Sequence, residues 1–145
     1  MRIIINTCYG GYSLSKKAVK RMADIQGTHC FFFKSSIGNG NKGYEPLSVD
    51  DEAKTMFWTA FTIPNPNDFL VDGELPNKKY CEIEIESRPE NRSDPVLLQV
   101  VEELGKEADG QCAELKIVEI PDGVQYHIDE YDGIESIHED HRSWD

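Results

Sequence analysis

Asn6, Cys8, Tyr9, Gly10, Gly11, Tyr12 and Ser13 make up the segment of this sequence best suited to hold a ligand. Adjacent glycines permit positive φ and close backbone approach, a serine at position 13 or 15 can cap a helix, and the free amides of a helix's first turn attract phosphate or carboxylate. Tyr9 and Tyr12 offer stacking surface for a base or a sugar. The spacing is neither G-x-x-x-x-G-K-S/T nor G-x-G-x-x-G, and the same residues also fit a tight turn whose Ser13 satisfies its own helix. Lys17, Lys34, Ser35 and Arg92 are the further residues expected to reach an anion there.

Other candidate chemistry is thinner. Cys8 just ahead of a helix start would have a lowered thiol pKa. Cysteine phosphatase spacing needs arginine at position 14, however, where Leu14 stands, and His29 falls at the far end of its own strand. His138 and His141 are three apart and could share a metal ion on a helical turn with His127 as a third ligand, but the spacing is not H-E-x-x-H and chance clustering in an acidic tail explains it. No catalytic residue, metal ligand or cofactor is therefore assigned. Lys16, Lys17, Lys20 and Arg21 read as the solvated face of a helix, and Arg88 and Arg92 as partners for Glu86, Glu90 or Asp94.

These residues need elements to hold them. The run Ile3, Ile4, Ile5 is apolar at consecutive positions, as in a strand covered on both faces. Leu14, Ala18, Met22 and Ile25 then recur at helical spacing until Gly27, and 29–33 read as a second apolar strand. The expectation is an N-terminal βαβ unit with parallel strands and a right-handed crossover, whose carboxyl ends would gather residues 6–13 and 34–36 into one crevice.

Residues 35–79 are irregular and loop-rich, with a short helix after Ser48 and a strand within 56–63 as the best local reading. Cys81, Ile83 and Ile85 alternate with glutamates as a half-exposed strand. Asp94-Pro95 opens a second helix that runs to Asp109-Gly110. Residues 113–120 and 124–131 read as an antiparallel hairpin about Pro121-Asp122-Gly123, with a third short strand beyond Asp132-Gly133 and an acidic C-terminal segment over 132–145. The fold class expected is α+β on one sheet, in a single domain spanning 1–145.

Charge is segregated. The first 45 residues hold seven cations against two carboxylates, and the rest holds eight against twenty-five, for a net charge of −12. Such a field disfavours general binding to nucleic acid. Cys8, Cys30, Cys81 and Cys112 form no C-x-x-C pair, which suits reduced thiols in a cytoplasm. No apolar run is long enough for a bilayer, and no secretory leader is recognisable.

The segments 5–15, 92–95, 116–122, 130–135 and 141–144 together resemble a family of small acidic bacteriophage and prophage proteins. They are carried by Asn6, Cys8, Tyr9, Gly10, Gly11, Ser13, Arg92, Asp94, Glu130, Tyr131, Asp132, Gly133, Glu135 and Trp144. The resemblance implies a viral protein acting in the cytoplasm of a bacterial host, in a host-takeover or anti-defence role. The first functional expectation is a non-enzymatic protein that sequesters a small phosphate-bearing nucleotide. The second is an acidic inhibitor or adaptor that binds a host protein, with Asp129, Glu130, Asp132, Glu135, Glu139 and Asp140 imitating nucleic-acid charge. The third is a metal-dependent hydrolase. Opposite charge at the two ends is also compatible with a homo-oligomer.

Overall fold

The computed structural model describes residues 1–35, 43–49, 58–71, 83 and 91–140. They form a mixed α+β fold of two α-helices and seven strands, with every strand pairing antiparallel. The chain divides into two compact units, Met1–Val19 with Ile85–Asp145, and Lys20–Glu84.

In the first unit, β1 (Arg2–Asn6) pairs with β5 (Leu115–Glu119), Ile4 opposite Ile117. The amides of Ile4 and Asn6 are met from outside that ladder, by the Arg92 carbonyl at 3.0 Å and by Glu135 Oε1 at 2.8 Å. Both faces and both edges of β1 are therefore occupied, which is why three isoleucines follow one another without a polar break.

Helix α1 (Lys16–Gln26) starts in this unit and its later turns belong to the second. Ser15 is its cap: the Oγ accepts from Ala18 N–H at 3.1 Å and donates to the Glu107 carbonyl at 2.5 Å. Gly27, at φ +74°, ends it. Helix α2 (Pro95–Leu104) is opened by Asp94, whose carboxylate accepts from Leu97 N–H, and buries Leu97, Leu98, Val100 and Val101. A 3₁₀ turn, Gly105–Ala108, follows.

The hairpin of this unit is β6 (Tyr126–Tyr131) with β7 (Ile134–Glu139). Tyr131 and Ile134 are register partners, so the loop is Asp132-Gly133 alone. Both residues have positive φ, +49° and +88°, the conformation a two-residue hairpin turn demands.

The second unit is built on β2 (Phe31–Ser35), flanked by β3 (Tyr44–Leu47) and β4 (Thr59–Phe61). Its core is aromatic: Phe33, Phe61 and Tyr44 meet at tilted or edge-on angles with ring centres 5.0–6.4 Å apart, and Trp58 sits edge-on to Phe32. A 3₁₀ turn, Pro66–Phe69, is held to β3 by Asn67, whose side chain exchanges hydrogen bonds with Tyr44 N–H and C=O.

Three expectations are corrected. No parallel βαβ unit forms among the described strands: β1 and β2 lie in different sheets, so α1 is a connector and not a crossover. An all-apolar strand records that two faces are covered and carries no information on strand direction. The C-terminal hairpin sits one strand later than expected, because β5 is taken by β1 and the Asp-Gly pair makes the tighter turn. The strands lie in three sheets rather than one. The strand expected over 80–86 and the helix after Ser48 lie largely outside the described residues.

Candidate functional site

Asn6, at the end of β1, is fully buried and every polar atom of its side chain is used. Its Nδ2 donates to the Cys8 and Gly133 carbonyls, both at 2.7 Å, while Oδ1 accepts from Glu114 N–H at 2.9 Å and Cys8 N–H at 3.3 Å. One amide thus ties together β1, the bend that follows it, the approach to β5 and the β6–β7 turn.

Beside it lies a buried ion pair. Arg92, 3% exposed, grips Glu135, 8% exposed, with NH1 and NH2 on separate carboxylate oxygens at 2.7 and 2.8 Å. Glu135 Oε1 also takes the Asn6 amide, and Arg92 NH1 also reaches the Ile4 carbonyl at 3.2 Å. The bidentate geometry and these additional bonds offset the desolvation of both charges. Tyr12 covers the guanidinium, its ring centre 3.6 Å from Arg92 Cζ. Burial pushes the Tyr12 phenol up to about 12, with Arg92 opposing, and its hydroxyl has no hydrogen-bond partner among the described residues.

The two-glycine bend is closed by the chain itself. Gly10, at φ +112°, donates its amide to the Asp132 carbonyl at 3.3 Å. The turn presses in so closely that a β-carbon on Gly133 would lie 2.2 Å from the Gly11 nitrogen, and on another side the loop before β5 approaches until one on Gly10 would lie 2.6 Å from Cys112 Cβ. What the sequence offered as a seat for phosphate receives the tip of the protein's own hairpin.

The structure therefore brings Asn6, Gly10, Gly11, Tyr12 and Arg92 together around Glu135 and the Asp132-Gly133 turn, and places the other expected site residues differently. Ser13 is spent on the 110–111 loop, accepting from Gly110 N–H and donating weakly to the Gln111 carbonyl, so Ser15 alone caps the helix. Lys17 faces Glu107 at 3.7 Å. Lys34 pairs with Glu45 at 3.1 Å, and Ser35 ends the same strand β2, which pairs with β3 and β4 and not with β1. Cys8 precedes the first residue of α1 by eight positions. Arg92 pairs with Glu135, and Asp94 is the helix cap. Glu135, expected only as one of the carboxylates that imitate nucleic-acid charge, is instead buried at the centre of this site. Its signal was positional, since two residues after the Asp-Gly turn its side chain falls on the inner face with Ile137.

What the node exposes is more open to partners than the node itself. Tyr9 and Tyr131, each next to a residue of the Gly10–Asp132 bond, are 64% and 78% exposed. The outer face of the hairpin carries His127, Asp129, Ser136, His138 and, just beyond β7, Asp140. His138 lies on a strand, so the three-residue helical spacing proposed for a metal does not exist, and His141 lies outside the described residues. Among the described residues no three His, Cys, Asp or Glu side chains are grouped as a metal ion requires. Cys30 is buried, which pushes its thiol up to about 11 and leaves it protonated. Among the described residues no helix is long and apolar enough to cross a membrane.

No family model, no curated protein and no solved structure matches this chain.

Proposed function

We propose that this chain is a non-enzymatic binding protein that engages a basic protein surface through the joined turns at 9–11 and 131–133 and the carboxylates of the β6–β7 hairpin. The observation that carries this reading is the exposure of Tyr9 and Tyr131 on two turns fastened to each other by a main-chain hydrogen bond. Tyrosine supplies large contact area at low entropic cost and is enriched where interfaces draw most of their energy. Here the node of Asn6, Arg92 and Glu135 holds both turns in place before any partner arrives, which lowers the ordering cost of binding.

Charge selects the kind of partner. Residues 91–140 hold fourteen carboxylates against Arg92, Lys106 and Lys116, and Arg92 is buried. Glu130, Asp132 and Glu139 are exposed, and no lysine or arginine among the described residues pairs with them. Such a surface steers a lysine- or arginine-rich partner toward the tyrosines. With the resemblance to phage proteins, the proposed partner is a protein of the infected bacterium.

The test is capture from bacterial lysate on immobilised full-length chain, beside a Tyr9→Ser/Tyr131→Ser variant of matched thermal stability. The expected result is a protein held by the wild type, lost from the variant and released in about 1 M salt, where screening acts beyond ~3 Å. Equal retention by both chains, or retention that salt leaves untouched, contradicts the reading.

A further inference from the structure

The outer face of the β6–β7 hairpin sets two histidines directly opposite each other. His127 and His138 are register partners, with ring centres 5.6 Å apart and planes 23° from parallel. Asp129 lies between them, Oδ1 at 3.4 Å from His127 Nε2 and Oδ2 at 3.4 Å from His138 Nε2. On the far side of the ring, His127 Nδ1 meets Asp140 Oδ1 at 2.5 Å. Asp140 in turn closes the open end of the hairpin, its amide donating to the Gln125 carbonyl at 2.8 Å. Ser136 Oγ is 2.9 Å from His138 Nε2.

Among the described residues, Asp129, Asp140, the two rings and, next to the turn, the Tyr131 phenol are the titratable groups on this face. Glu130, Glu135 and Glu139 alternate to the other one.

We propose that His127 is a proton-operated switch on this surface, its charge cancelling part of the hairpin's negative face in acid and releasing it in base. The consequence for binding rests on the function proposed above; the titration does not. The Asp140 hydrogen bond holds His127 above its ordinary value, desolvation opposes it, and the charge of Asp129 adds to the rise. In the protonated state Asp129 and Asp140 flank a cation, so protonation of His127 lowers the negative charge of this face by one. Histidine is the side chain whose ordinary range allows this change near neutral pH.

Two measurements on the full-length chain separate the parts. Imidazole NMR titration of wild type should give His127 a midpoint above about 6.5, and Asp140→Asn should bring it down. A wild-type midpoint at or below 6.5, or one that Asp140→Asn leaves in place, overturns the switch whatever the partner.

A decalysine peptide then serves as the basic probe. Its affinity for wild type should weaken about two- to fivefold from about pH 8 to about pH 5.5, the effect of one exposed charge, and His127→Gln should lose most of that dependence. The same weakening in His127→Gln assigns the effect elsewhere and overturns the proposal. Absence of decalysine binding at both values, with His127 titrating high, counts against the binding function and leaves the titration result standing.

Discussion

On its inner face the β6–β7 hairpin carries Glu135, buried against Arg92 and shared with the Asn6 amide; on its outer face it carries His127, open to water against Asp140. Both are close pairs of opposite charge on one pair of strands. The inner pair has lost its water, and Glu135 accepts three hydrogen bonds from Arg92 and the Asn6 amide, so neither member can leave or change charge without stranding the other. The outer pair keeps its water, contributes little to stability, and exchanges protons freely with the solvent. Burial turns a charge pair into a fixture, and exposure turns it into a device.

Breaking the inner pair should have the largest effect. Glu135→Ala takes the carboxylate away from the buried Arg92 cation and is expected to cost about 3–5 kcal/mol in urea unfolding. The double substitution Arg92→Met/Glu135→Leu, which removes both charges and refills the space, should recover most of that loss. A double variant as unstable as the single one would mean that the pair is not what holds the node.

Next in size, Asn6→Ala strips four hydrogen bonds from buried and part-buried groups and should cost about 2–3 kcal/mol. Asp94→Ala, away from the node, removes only the α2 cap and should cost about 1 kcal/mol by the same assay. The smallest effect belongs to the outer pair. Because the folded-state value of His127 is raised, its contribution is complete below the unfolded value near 6.5 and fades as pH climbs through the folded one. Asp140→Asn should therefore leave stability at about pH 8 unchanged while removing that shallow slope in a urea series against pH.

How far the sequence disclosed this arrangement depended on distance along the chain. Asp94-Pro95 and Gly27 mark helix ends by local chemistry, and the helices begin and end beside them. The Ile3–Ile5 run marked a strand covered on both faces but could not name its neighbour, because β5 lies more than a hundred residues away and pairing direction leaves no local trace. The set Asn6, Gly10, Gly11, Tyr12 and Arg92 was legible as a group that meets, through its unusual residue types. Its purpose was not, because Glu135 and the Asp132-Gly133 tip arrive from the other end of the chain. Lys34 and Ser35 were placed with that group only through the parallel pairing of β1 with β2, which does not form among the described strands.

The central claim is that the two-glycine bend serves the protein's own hairpin and leaves recognition to the tyrosines and carboxylates outside it. Amide NMR of the full-length chain, recorded with and without a panel of nucleotides, tests this at the atoms concerned. The account predicts a Gly10 amide protected from solvent exchange, with Gly10 and Gly11 signals that no nucleotide moves. A rapidly exchanging Gly10, or Gly10 and Gly11 signals that shift on adding a nucleotide, would contradict it.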